Sequence, residues 1–354
     1  GNHIVRFVAD DGKTSILIGG GSTTFDAGPD SFNDSIDAGD IALVDAYGLA
    51  GVLDGGLLIS QGGDNSRILR VDLGTKMVTP FIGAGTREGN DGDGTSVTEI
   101  ALGDPRAAIS AQGNVYVLEA SKGWVRVLDG GTLNRIGGTG REGSNFWGDG
   151  VDGGATSAGL SSPSGIAVSD SAGATIVTIA DALNNRIRQV DSFGTIRTLA
   201  GSGVPDYSDG DGGNLLSAQF YRPRGVAQRS ISELLVSDTA NNRVRKIFGT
   251  GGYGTISLIA GNGDAVFSGE NGLATSASFG SPAGIAYRTS PINEVYFTSW
   301  QHHVVLKVGL DGVNQTLVRV AGIPDQPTDG GDPGDGLDAG EATLDTPTGI
   351  AFDS

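Results

Sequence analysis

Pro163-Ser164-Gly165-Ile166-Ala167-Val168 reads as a turn running into a short apolar strand, and the chain spells the same phrase repeatedly. Pro223-Arg224-Gly225-Val226-Ala227, Pro282-Ala283-Gly284-Ile285-Ala286 and Pro347-Thr348-Gly349-Ile350-Ala351 are full copies. Pro105-Arg106-Ala107-Ala108 and Ala46-Tyr47-Gly48-Leu49 are degenerate ones. The phrases start at 46, 105, 163, 223, 282 and 347, in steps of 58 to 65 residues. A nearly constant period of this size marks a repeat architecture, in which each unit buries its face only against its neighbours.

Within one period the pattern changes four times. Gly165 to Ser169 is apolar and short, and 174–180 (ATIVTIA) is largely β-branched, as a buried strand should be. Asp181 to Asn185 is a turn cluster, and Arg186 to Val190 alternates polar with apolar residues. After the turn Ser192-Phe193-Gly194 comes a fourth strand, Thr195 to Ala200, and then a long Gly/Asp loop. Four short antiparallel strands per unit, six units and no helical periodicity predict an all-β fold, a six-bladed β-propeller covering 1–354 as one domain. Blades should start near 46, 105, 163, 223 and 282, with the sixth assembled from 347–354 plus 1–19. That composite lacks an equivalent of 174–180. The gap calls for residues of a longer parent chain or a strand from another molecule, which would also permit head-to-tail assembly.

Bulk properties narrow the partners. Glycine is 61 of 354 residues, but it recurs at fixed places in each repeat and so reads as turn chemistry rather than disorder. A formal net charge of −18 opposes nucleic acid and anionic membrane surfaces as partners. There is no cysteine, so no disulfide framework and no thiolate metal site. No apolar run approaches the ~18 residues of a membrane span. The chain opens at Gly1 in mid-pattern, the expected look of a module within something longer.

The turn clusters carry a family resemblance. The segments 181–188 (DALNNRIR) and 238–245 (DTANNRVR) resemble the core of NHL repeats. So do the flanking 200–203 (AGSG) and 260–263 (AGNG), in the manner of the long-loop NHL propellers of secreted and cell-surface proteins. Blades starting at 163 and 223 match well, while the blade at 282 has Trp300-Gln301-His302-His303 in the motif's place. The resemblance implies an extracellular or cell-surface interaction platform.

Candidate site residues follow. Asp181, Asn185, Arg186, Asp238, Asn242 and Arg243 recur in register, which points to a structural role: carboxylates and amides capping turns, arginines bonding a neighbouring strand or blade. The residues after each Pro should ring one mouth of the central channel. Tyr47, Arg106, Ser164, Arg224 and Thr348 are the binding candidates there, suited to a small anion or a partner's carboxylate. Asp206, Asp209 and Asp211 are calcium candidates, although none of the acidic loops has the length or terminal Glu of a dedicated Ca²⁺ loop. No cofactor is otherwise expected. Gly138-Thr-Gly140-Arg-Glu-Gly143 spells a dinucleotide phrase, but 144–150 (SNFWGDG) cannot form the helix that phrase needs. His302 and His303 are adjacent and His3 is remote in sequence, so no convergent metal triad is expected. Asn33 and Asn314 lie in glycosylation sequons. The expected function is a non-catalytic scaffold binding protein or glycan partners, neighbouring modules or copies of the parent included. The alternative is a channel-mouth enzyme of the lyase, lactonase or hydrolase kind that uses a metal ion.

Overall fold

The computed structural model describes residues 4–19, 21–25, 34–86, 89–109, 112–140, 154–171, 174–206, 214–289, 293–311, 315–327 and 336–352. It is a β-propeller. The chain opens with a two-stranded antiparallel sheet, β1 (Val5–Val8) and β2 (Thr14–Ile18), followed by the short β3 (Ile36–Asp37). Blade one is β4 (Ala46–Val52), β5 (Gly56–Gln61), β6 (Arg67–Asp72) and β7 (Met77–Ile82). After β8 (Thr95–Ser96), blade two is β9 (Pro105–Ile109), β10 (Val115–Glu119), β11 (Trp124–Asp129) and β12 (Thr132–Gly137). Blade three is β13 (Gly165–Ser171), β14 (Ala174–Asp181), β15 (Arg186–Asp191) and β16 (Ile196–Ala200). Blade four is β17 (Val226–Ser230), β18 (Glu233–Asp238), β19 (Arg243–Thr250) and β20 (Tyr253–Ala260). Blade five is β21 (Pro282–Arg288), β22 (Glu294–Ser299), β23 (Val304–Gly309) and β24 (Leu317–Ala321). Every blade is an antiparallel meander, its first strand innermost.

The second strands are the most buried elements, as their apolar sequences require: β5, β10 and β22 are buried at every position. Packing between consecutive blades gives separate cores. Leu58, Ile68 and Val117 join blades one and two, and Leu118, Val125 and Ile179 join two and three. Ala180, Ile187 and Val236 join three and four, and Leu235, Val244 and Phe297 join four and five. Val5 and Ile18 of the β1–β2 hairpin pack on Ile59 and Leu69 of blade one. The loop that leaves each fourth strand then reaches the outer edge of the next sheet. Thus β3 pairs with β7 and β8 with β12, while Gly154 bridges Thr195, Leu273 bridges Thr316, and Asp338 bridges Lys13.

One expectation is corrected here. Six phrases predict six blades, and the described residues form five. The residues meant for a composite sixth blade give only the β1–β2 hairpin and the segment Gly349–Phe352, which makes no ladder pairing among the described residues. The physical reason is the gap in the pattern. A first strand and a third strand cannot hydrogen-bond across the width of an absent second one.

Candidate functional site

The innermost strands meet around the axis because their glycines have no Cβ. A Cβ at Gly165 would collide with the Arg224 carbonyl, one at Gly225 with the Ala283 carbonyl, and one at Gly284 with the Thr348 carbonyl. The ring continues from Gly349 to the Tyr47 carbonyl (3.4 Å from an ideal Cβ) and from Gly48 to the Arg106 side chain (3.3 Å). The Pro-x-Gly glycine is therefore a close-approach residue rather than a turn residue. It sets Tyr47, Arg106, Ser164, Arg224 and Thr348, with Ala283, at successive places around one ring.

Two cations dominate that ring. The Arg106 guanidinium lies 4.2 Å from the Tyr47 ring centre and donates to the carbonyls of Asp104 (3.2 Å) and Pro105 (2.9 Å). Burial pushes Arg106 down to about 10, reinforced by the positive charge of Arg224 and opposed by Tyr47 and Asp104. Arg224 sits 5.6 Å from the Trp300 ring centre, and burial lowers it too, with Arg222 adding to the effect. Ser164 donates to the carbonyls of Pro223 (3.1 Å) and Arg224 (3.2 Å). Two partly desolvated guanidiniums on one ring, the charge of Arg106 further disfavoured by Arg224, have the chemistry that a carboxylate or another small anion complements.

The recurrent polar set has a different place, at the turn between second and third strands. Asp181 is fully buried: Oδ1 accepts from the Ser161 amide (2.8 Å), and Oδ2 from Asn184 (2.9 Å) and Arg188 (3.3 Å). Asp238 repeats this with the Tyr221 amide (2.9 Å), Asn241 (2.9 Å) and Arg245 (3.2 Å). Burial raises both carboxyls, Asp238 to about 6, against the lowering by their partners. Arg186 and Arg243 meet loop carbonyls of their own blades, Ser202 (2.8 Å) and Asn262 (2.9 Å). The arginine that meets each aspartate is the next but one, Arg188 or Arg245. Asn185 and Asn242, both in the left-handed region (φ 52°), reach the next blade and accept the amides of Arg222 (3.0 Å) and Ser281 (2.9 Å).

Two features escaped the sequence reading. The residue before each repeated phrase is left-handed: Asp45, Asp104, Ser162, Arg222, Ser281 and Thr346 have φ of 42–50°. Non-glycine residues resist that conformation, and a following proline makes it harder still; at Arg222, Ser281 and Thr346 a side chain of the preceding blade accepts the residue's amide. Blade two also has its own buried ion pair, Glu119 Oε1 to Arg126 Nε at 2.6 Å. Its signal was present, since an acid precedes an arginine by seven positions in 119/126 as in 181/188 and 238/245.

The departure at blade five resolves into a substitution. His303 is left-handed (φ 59°), and its Nδ1 accepts the Thr346 amide at 3.0 Å, the role of Asn185 and Asn242. His302 is buried, with Nδ1 2.6 Å from Asp325 Oδ1 and Nε2 2.6 Å from the Ala265 carbonyl. His3, Asp209, Asp211, Asn33 and Asn314 lie outside the described residues, whereas Asp206 is described and half-buried. Among the described residues, no three His, Cys, Asp or Glu side chains are grouped to hold a metal ion, and no helix is long and apolar enough to cross a membrane.

No protein-family model matches the chain, and no curated protein sequence matches it. Solved structures do resemble it. A Bacteroides thetaiotaomicron protein of unknown function is 18% identical, with a TM-score of 0.59 over 94% of this chain and 70% of that one. A gluconolactonase from Xanthomonas campestris is 13% identical, with a TM-score of 0.52 over 88% and 80%. Virginiamycin B lyase from Staphylococcus aureus is 17% identical, with a TM-score of 0.46 over 80% and 72%. At these identities the shared property is the propeller fold.

Proposed function

We propose that this propeller is a non-catalytic interaction module of NHL type within a larger extracellular or cell-surface protein, binding protein or glycan partners. The observation that supports this reading most is the use made of the recurrent polar side chains. Asp181 and Asp238 are buried with both oxygens bonded within the blade, and Asn185, Asn242 and His303 join each blade to the next. Groups held in this way build a rigid frame and are not free for substrate. On that frame the channel mouth, with Tyr47, Arg106, Ser164, Arg224 and Thr348, is where a partner's carboxylate or an acidic sugar would seat.

The second reading, a metal-assisted lactonase, lyase or hydrolase, is supported by the Xanthomonas campestris neighbour, a gluconolactonase. One experiment separates the two. Protein purified without chelator is analysed for metals and assayed for lactone hydrolysis with Zn²⁺ or Ca²⁺. Wild type and Arg106→Ala/Arg224→Ala are then compared on an acidic-glycan array. The scaffold reading expects no metal-dependent turnover, and glycan or carboxylate binding that the double variant loses. Turnover that requires the ion and falls in the double variant would replace it with the enzyme.

A further inference from the structure

The two arginines of the channel mouth stand in opposite surroundings. Each repeated phrase gives the mouth its second residue and is preceded by a left-handed one. At that preceding position blades one and two carry acids, Asp45 and Asp104, whereas blade four carries Arg222. Arg106 therefore has the Asp104 charge to offset its burial, and two carbonyls to receive its donors. Arg224 has neither. Its guanidinium makes no hydrogen bond or ion pair among the described residues. Burial lowers its pKa, and the positive charge of Arg222 adds to the effect. The Arg222 guanidinium, 5.9 Å from the Tyr221 ring centre, is likewise without a hydrogen bond or ion pair among the described residues. Both residues are exposed. In a chain of net charge −18, two adjoining guanidiniums without an acid between them form a site whose anion comes with the ligand.

An independent observation lies on blade five. The residue that follows each second strand is small in four blades, Gly62, Ala120, Ala182 and Thr239, and is Trp300 in the fifth. This position borders the mouth: a Cβ at Gly62 would collide with the Tyr47 ring, and Thr239 donates to the Pro282 carbonyl at 2.6 Å. The Trp300 indole is half-buried, and its Nε1–H meets no acceptor among the described residues. A structural hydrogen bond therefore does not account for it. What it does meet is Arg224, 5.6 Å from its ring centre.

We propose that Arg222, Arg224 and Trp300 form a subsite for a uronic-acid unit of an acidic glycan. The two guanidiniums take the carboxylate, and the indole takes the apolar face of the sugar ring. A carboxylate on a flexible peptide side chain would leave the indole unused, which favours the sugar. Asp45 and Asp104 repel the same anion from blades one and two, so Arg224 and not Arg106 is the anchor. This rests on the reading of the mouth as a binding face. It is tested at Arg222 and Trp300, which that reading does not use, so the subsite can fail while the reading stands.

The probe is trigalacturonic acid, titrated into the protein and followed by calorimetry and tryptophan emission, with its full methyl ester as the uncharged control. The expected result is one-to-one binding of the acid with a change in emission, and no binding of the ester. Arg222→Ala and Arg224→Ala should each weaken binding about tenfold. Trp300→Phe keeps an aromatic face and should bind within about threefold of wild type, but without the emission change. Circular dichroism confirms that the variants fold. Equal binding of the ester, or an emission change that survives Trp300→Phe, would overturn the proposal. Binding that Arg106→Ala abolishes and Arg222→Ala leaves intact would overturn the subsite and leave the reading above in place. Tighter binding of a hexaglutamate peptide would overturn it in favour of an acidic protein partner. If the folded wild type ignores the trisaccharide, the subsite is overturned, and a blank acidic-glycan array would remove the glycan reading with it.

Discussion

Blades four and five perform the same two tasks with different residues. Blade four joins its second strand to its third with a fully buried ion pair, Asp238–Arg245, and its turn to the next blade with Asn242. Blade five has Ser299 and Leu306 at the ion-pair positions, and His303 in place of Asn242. The ion pair is therefore dispensable to a blade, because a small polar group beside an aliphatic side chain fills the same space without desolvating two charges. The inter-blade bond is kept through a change of residue type, because the left-handed Ser281 and Thr346 each need an acceptor for their amide.

Breaking one partner of the pair should produce the largest effect. Asp238→Ala strands the Arg245 charge in the interior and is expected to cost about 3–5 kcal/mol in urea unfolding. The double variant Asp238→Ser/Arg245→Leu copies blade five and should fall within about 1 kcal/mol of wild type. A double variant as damaged as the single would show that the ion pair itself is required.

The next effect is smaller and depends on pH. The Asp238 carboxyl stands near 6 in the folded protein against 3.8 as its ordinary value. Between these values the folded chain holds the extra proton, so this group adds stability as pH falls from about 6 toward 4 and is flat above 6. Urea midpoints of wild type should thus gain on Asp238→Asn, by on the order of 1 kcal/mol, between pH 7 and pH 4.5. A difference that is constant or opposite in sign would mean that Arg245 outweighs burial.

The inter-blade bonds come next. Asn242→Ala and His303→Ala each leave a left-handed residue without its acceptor and should cost about 1–2 kcal/mol, read from the thermal midpoint. The smallest effect sharpens the comparison most. His303→Asn should stay within about 0.5 kcal/mol of wild type, because Asn already does this work in blades three and four. A loss equal to that of His303→Ala would show that the imidazole has another function.

The strands were legible because each alternates or buries in a pattern of its own: 174–180 was expected as a strand and Ala174–Asp181 is one, and 186–190 became Arg186–Asp191. The propeller was legible from the period, since units that pack only on neighbours repeat in sequence as they do in space. The blade number was not, because a phrase marks where a blade begins and says nothing about whether its later strands are supplied. The ring of Tyr47, Arg106, Ser164, Arg224 and Thr348 could be listed from the phrases alone. The tucking of Arg106 against Tyr47 could not, since it depends on how closely two backbones pass at Gly48. His303 hid for another reason: Asn and His share no motif, only an acceptor atom at the same distance from a left-handed turn.

The loops that cross to the next sheet have a consequence for how such a chain grows. Ile36 completes the outer edge of β7, Ser96 that of β12, and Gly154 one begun by Thr195, so these sheets are finished by residues encoded ahead of them in the neighbouring repeat. The inherited unit is therefore offset from the visible one. A duplication running from one long loop to the next would deliver a new blade already equipped to fasten onto the old, whereas one cut at the Pro-x-Gly would deliver a blade whose fastening belongs to someone else.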